Sequence, residues 1–125
     1  MTWKRNLVVL GVVIFAAFGL LGLLAPAKLL ELIGAGPGGT DAHNDIRAMY
    51  GGAELAIACL LLASLRKPGW LDAGLLLQTT IFAGMAASRA FSVALDGTPG
   101  AALLLAGAAE AAGAAAGMIA LRSRQ

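Results

Sequence analysis

Long apolar stretches of this 125-residue sequence are interrupted by the charged side chains of Arg47, Glu54, Arg89 and Glu110. One charged group at the centre of a bilayer costs about 2.5–3.5 kcal/mol, so such groups usually pair or face a cavity. Arginine suits this pairing because its planar guanidinium stays protonated and can bind both oxygens of a carboxylate. We therefore expect the two arginines to engage the two glutamates.

The spacing of these residues predicts that they share helix faces. Arg47 and Glu54 are seven residues apart, which places them on one face and about 10 Å apart along an α-helix. Asn44 shares this face and Tyr50 borders it.

Further along the chain, Gln78, Arg89 and Asp96 trace one face of a later segment, whereas Glu110 shares its face with small residues. Helices that cross a membrane in alternating directions bring the four charged residues to similar depths in its outer half. We expect Tyr50, Gln78 and Asp96 to be secondary partners in one polar site.

The composition indicates that a membrane surrounds these charges. Apolar residues make up 59% of the sequence and charged residues 13%, whereas a soluble domain usually carries about a quarter charged residues. A spanning helix needs about 20 mostly apolar residues, and four segments qualify: residues 7–25, 45–65, 70–95 and 100–121. The sequence predicts an all-α fold, a four-transmembrane-helix bundle, with residues 1–125 forming a single integral membrane domain.

The long first connection predicts one more helix. Pro26 can occupy the first turn of a helix, and the residues up to Ile33 combine apolar side chains with Lys28 and Glu31. This pattern is typical of a short helix that lies in the membrane interface.

Basic residues are concentrated at one side of the predicted bundle. These flanking residues are Lys4, Arg5, Arg66, Lys67, Arg122 and Arg124. The positive-inside rule predicts that this side, with both termini, lies in the cytoplasm, and that the chain is a multi-pass protein of a bacterial inner membrane.

Two other motifs are interpreted as structural. Residues 34–39 match the G-x-G-x-x-G pattern, but no strand precedes them, so a turn is favoured over a nucleotide site. A metal site is not favoured at Asp41, His43 and Asp45. These residues are two positions apart, a spacing that is atypical of metal ligands on one helix face, and the sequence has no second histidine. We predict no metal and no cofactor, and the net charge of +2 argues against a nucleic-acid partner.

The polar residues also carry a family resemblance. The block from Asn44 to Glu54 (NDIRAMYGGAE), the block from Ser88 to Gly97 (SRAFSVALDG) and the later Glu110 resemble a bacterial family of small four-helix membrane proteins of unknown function. The chain is also distantly similar to the DoxX-like group. The family resemblance implies four helices and one polar site but no substrate, whereas the DoxX-like similarity implies contact with a quinone or a partner oxidoreductase.

These patterns favour a binding or accessory protein over an enzyme, because no nucleophile–base pair is visible. The predicted site would hold the polar head of a membrane lipid, a quinone-like molecule or another amphiphile. Its residues are Asn44, Arg47, Tyr50, Glu54, Gln78, Arg89, Asp96 and Glu110. The alternatives are a proton-coupled small transporter, a DoxX-like membrane component of a redox enzyme and a purely architectural subunit. The chain could also bind a membrane-protein partner. The small residues 113–117 allow close helix contact, either within one chain or between the chains of a homo-oligomer.

Overall fold

The computed structural model describes residues 2–123, which form helices and no strand. The helices are α1 (Thr2–Leu24), α2 (Pro26–Leu32), α3 (Thr40–Arg66), α4 (Leu71–Asp96) and α5 (Ala101–Arg122). All except α2 are long and apolar enough to cross a membrane. The predicted all-α fold with four spanning helices is therefore confirmed. Arg124, which contributed to the predicted orientation, lies outside the described residues.

The second spanning helix is longer than its apolar stretch. α3 begins at Thr40 rather than near Asp45, and the turn from Arg47 to Gly52 is π-helical. Gly39 precedes the helix in an extended conformation, and no side chain caps the first turn. The sequence pattern located only the apolar part, because polar residues continue a helix beyond the hydrocarbon without contributing to hydropathy.

The four long helices form two packed pairs. α1 lies along α3, α4 lies along α5, and contacts between α1 and α4 join the pairs. Successive spanning helices are antiparallel, since Lys4 at the start of α1 reaches Asp72 at the start of α4, whereas Gly22 near the end of α1 lies against Tyr50 of α3. The start of α1, the turn between α3 and α4 and the last turn of α5 consequently lie together, and we call this the basic end.

An apolar core runs through the middle of the bundle. Its buried members are Val8, Phe15, Ala58, Leu61, Leu75, Phe82, Ala114 and Ala120. The rings of Phe15 and Phe82 stack with their centroids 5.5 Å apart and join α1 to α4. Only 17–28% of the residues in the most apolar stretch of each spanning helix are buried. The large remaining apolar surface would be costly in water and is suited to lipid.

The short helix α2 lies at the end of the bundle opposite the basic end. Leu29 and Leu30 are buried together with Ile46 of α3, whereas Lys28 and Glu31 are exposed. The first connection therefore contains the expected short amphipathic helix, which packs its apolar face on α1 and α3.

Candidate functional site

An ion pair with two hydrogen bonds joins α4 to α5. The Nε atom of Arg89 donates to Oε2 of Glu110 at 2.7 Å, and Nη2 donates to Oε1 at 2.9 Å. This two-point geometry is the arrangement in which a guanidinium binds a carboxylate most specifically. The Glu110 side chain is 8% exposed and that of Arg89 is 35% exposed. The carboxylate is thus enclosed in the protein, while the guanidinium keeps an open side.

A glycine makes room for this contact. Gly107 lies one turn before Glu110, and a Cβ atom there would be 3.2 Å from Cδ of Arg89. The absence of a side chain lets the aliphatic part of Arg89 lie close to the backbone of α5. Glycine at this position brings the guanidinium within reach of Glu110.

Arg89 forms one wall of an open groove between α4 and α5. The groove has a volume of about 340 Å³. It is lined by Ala86, Arg89, Ala90, Ser92, Val93, Pro99, Leu103, Leu104, Gly107 and Ala111. Neither hydrogen bond to Glu110 uses Nη1 of Arg89, and no acceptor within residues 2–123 binds this atom. The groove therefore combines small apolar walls with unused hydrogen-bond donors.

Two further polar residues continue from Arg89 towards the end of α4. Ser92 donates from Oγ to Oδ2 of Asp96 at 3.4 Å, and both residues are exposed. Ser92 lines the groove but was not among the predicted site residues. Its position three residues after Arg89, on the same helix face, is the signal that could have identified it.

The expected ion pair between Arg47 and a glutamate does not form, so this prediction was wrong. Nε of Arg47 instead donates to the backbone oxygen of Leu23 at 3.2 Å. Leu23 belongs to the last turn of α1, whose carbonyls lack partners in the helix and carry partial negative charge. Arg47 therefore stabilises the end of α1.

The π-helical turn explains why Arg47 and Glu54 do not share a face as predicted. Hydrogen bonds in a π-helix join residues five apart, so each residue rotates less about the axis than in an α-helix. The seven residue steps from Arg47 to Glu54 therefore complete less than two full turns, and the two side chains point in different directions around the helix axis. Glu54 is half-buried, and it is in neither of the two ion pairs found among residues 2–123.

Tyr50 is exposed on α3 and does not line the groove. No hydrogen bond joins its phenol to the Arg89 side chain in the described part of the chain. Asn44 is exposed near the start of α3 and lies outside the groove lining.

Gln78 belongs to the other half of the bundle. It lies eleven residues before Arg89 on α4, which corresponds to about 16 Å along the helix. Its Nε2 atom donates to the backbone oxygen of Leu7 at 3.0 Å, and the residue is 3% exposed beside Gly11. Gln78 thus links α4 to α1 and is not a partner of Arg89, contrary to the sequence-based expectation.

The geometry can support binding through hydrogen bonds. Arg89 offers donors at the groove, the hydroxyl oxygen of Ser92 can accept a hydrogen bond, and Glu110 neutralises Arg89 from behind. Within residues 2–123, no group of three or more His, Cys, Asp or Glu side chains is placed to hold a metal ion.

The fold and the ion pair define a class: a small multi-pass membrane protein with a neutralised charge pair between two of its spanning helices. Within this class, the chain belongs to the family described as Domain of unknown function (DUF4345), whose model matches residues 3–121. No curated protein and no solved structure matches the chain. The resemblance to a family of unknown function is confirmed, and the more distant DoxX-like similarity stays a prediction.

Proposed function

We propose that this chain is a multi-pass membrane protein that binds the polar head of an amphiphilic small molecule in the groove between α4 and α5. The observation that carries the proposal is the position of Arg89, which is held by a buried carboxylate on one side and faces an open groove on the other. An ion pair that served only to join two helices would not be stabilised further by leaving the Nη1 donors of Arg89 accessible.

The charge balance indicates the chemistry of the head group. Because Glu110 neutralises Arg89, the ligand needs no negative charge of its own. The Nη1 donors of Arg89 suit a neutral acceptor such as a quinone carbonyl or a lipid ester oxygen. A ligand of this kind would complete the hydrogen bonding of Arg89 without introducing an unpaired charge.

The shape of the groove fits a head group with an apolar tail. Its volume of about 340 Å³ lies at the lower end of the range of roughly 300–1,000 Å³ for small-molecule sites. Ala90, Leu103 and Ala111 provide apolar walls beside Arg89. An acyl or isoprenoid tail could leave the groove along the exposed apolar faces of the two helices.

The proposed location is the outer half of a bacterial inner membrane. The groove lies at the end of α4 that is farther from the basic end. With the basic end in the cytoplasm, as the positive-inside rule predicts, the groove would be reached from the outer leaflet.

The test compares two arginine substitutions at the same end of the bundle. The full chain in lipid nanodiscs is titrated with decylubiquinone and, separately, with phosphatidylethanolamine, and binding is measured by native mass spectrometry. Arg89→Gln combined with Glu110→Gln removes the charged guanidinium donors from the groove without leaving a buried charge. Hydrogen bonds to charged groups contribute about 1.5–3 kcal/mol, so we expect binding to weaken tenfold or more.

Arg47→Gln is the matched control, because it removes an arginine whose side chain binds the end of α1 instead of lining the groove. We expect this variant to bind as tightly as the unmodified protein. Equal binding by the double variant and the unmodified protein would contradict the proposal, as would an equal loss in the Arg47→Gln control.

A proton-coupled transporter is the second candidate, and one observation favours it. Glu54 immediately follows the π-helical turn in α3, is half-buried and forms no ion pair among the described residues. π-Helical turns occur frequently at functional sites. In proteoliposomes, pH-driven uptake of decylubiquinone that is lost in Glu54→Gln and retained in Arg47→Gln would support this candidate. Uptake that Glu54→Gln leaves unchanged would exclude Glu54 as the coupling residue.

A further inference from the structure

A second, smaller pocket lies at the basic end, around the turn that joins α3 to α4. Its volume is about 190 Å³. It is lined by Arg5, Ser64, Leu65, Arg66, Lys67, Pro68, Gly69 and Leu71. The groove between α4 and α5 shares none of these residues, so the two sites are separate.

Three cations line this pocket without a carboxylate partner. Asp72 is the one acidic residue at the basic end within residues 2–123, and its Oδ1 atom pairs with Nζ of Lys4 at 3.0 Å. Neither of the two ion pairs in the described part of the chain includes Arg5, Arg66 or Lys67. The pocket therefore has a net positive charge that the protein itself does not neutralise.

Local contacts hold two of these cations in position. Nη1 of Arg5 donates to the backbone oxygen of Leu65 at 3.1 Å, which ties the start of α1 to the end of α3. Nζ of Lys67 lies 4.1 Å from the centre of the Trp70 ring. This is a cation–π contact, in which the ring face attracts the positive charge. Both side chains retain N–H groups that can bind an anion.

We propose that this pocket binds the phosphate of an anionic phospholipid in the adjacent leaflet. Basic pockets between the ends of spanning helices are suited to anionic head groups. Trp70, which is exposed beside the pocket, is a residue type enriched at the level of lipid head groups. A volume of about 190 Å³ is below that of a typical small-molecule site, so it fits a head-group fragment whose tails lie outside.

Native mass spectrometry of the full chain with defined lipids tests this assignment. Phosphatidylglycerol is the anionic probe, phosphatidylcholine the zwitterionic comparison and inorganic phosphate the soluble one. Each basic side chain near a membrane surface strengthens binding of anionic lipid about fivefold. We therefore expect Arg66→Gln combined with Lys67→Gln to weaken phosphatidylglycerol binding about 25-fold and to leave phosphatidylcholine binding unchanged.

Arg122→Gln combined with Lys28→Gln is the control, since it removes two positive charges that do not line the pocket. Circular dichroism and size-exclusion chromatography establish that each variant is folded. A loss of phosphatidylglycerol binding that is larger in the pocket variant than in the control supports the proposal. A change below twofold in the pocket variant, or an equal loss in the control, overturns it. Inorganic phosphate binding that the pocket variant abolishes, without any preference among lipids, also overturns it and assigns the pocket to a soluble anion.

This proposal does not depend on the function assigned to the α4–α5 groove. The pocket variant changes no groove residue, and the Arg89→Gln/Glu110→Gln variant changes no pocket residue. Each assignment can therefore fail while the other stands.

Discussion

The contribution of the Arg89–Glu110 ion pair to stability can be measured by replacing the carboxylate. In Glu110→Gln, the amide keeps one acceptor oxygen of similar shape, but the opposite charge and the second acceptor are lost. The positive charge of Arg89 then lies unneutralised beside α5. We expect the free energy of unfolding to fall.

The expected size of this loss follows from the exposure of the two partners. Breaking a buried ion pair by removing one partner typically costs about 3–5 kcal/mol. Arg89 is only partly buried and lies seven residues before the end of α4, so its long side chain can turn its charge towards the membrane surface. We therefore expect a loss of about 2 kcal/mol for Glu110→Gln. Arg89→Gln should cost a similar amount because it leaves Glu110 buried and unpaired.

A double-mutant cycle separates the pair from other effects of the substitutions. Unfolding by sodium dodecyl sulfate is followed by circular dichroism for the unmodified protein, the two single variants and Arg89→Gln/Glu110→Gln. We expect the double variant to lose about 1–2 kcal/mol less than the sum of the single losses. This coupling would lie near the upper end measured between membrane helices. Additive losses, within about 0.5 kcal/mol, would refute the inference that this contact holds α4 against α5.

The packing of the bundle leads to two further predictions, both measured by the same unfolding assay. Gly11→Ala should lower the free energy of unfolding by about 1–3 kcal/mol, because its Cβ would collide with the buried side chain of Gln78. Gly84→Ala is the control and should have no cost, because a Cβ there meets no neighbour. Equal effects of the two substitutions would refute close packing at Gly11. Phe82→Ala should lower the free energy of unfolding by about 3–5 kcal/mol, because it leaves a cavity in the core. Phe91→Ala, at an exposed position, should lower it by less than about 1 kcal/mol. A small effect of Phe82→Ala would contradict its place in the core.

Several features of the fold follow from short stretches of sequence. Each spanning helix is apparent from its own apolar length, and α2 from Pro26 and the pattern that follows it. The cost of burying charge also identified Arg89 and Glu110 as residues that need partners, and these two do meet. Such predictions succeed because they depend on the transfer of individual side chains between water and hydrocarbon.

Other features of the site depend on the orientation of each helix about its own axis. Arg47 has the same residue type as Arg89 and a glutamate at helical spacing, yet it binds the end of α1. The π-helical turn changes the direction in which α3 presents Arg47 and Glu54, and the sequence pattern assumed a regular α-helix. Gln78 shares a helix face with Arg89 but lies too far along α4 to join it.

The amino-acid sequence alone therefore determined that this chain has four apolar spans and that charged side chains within them require neutralisation. Both properties are local, since they follow from the transfer free energies of residues and from helix length. Only the tertiary structure decided which carboxylate each arginine reaches, and that a groove opens beside Arg89. Those outcomes depend on close approach at glycines such as Gly107 and on the rotation of each helix against its neighbours, which no single segment specifies.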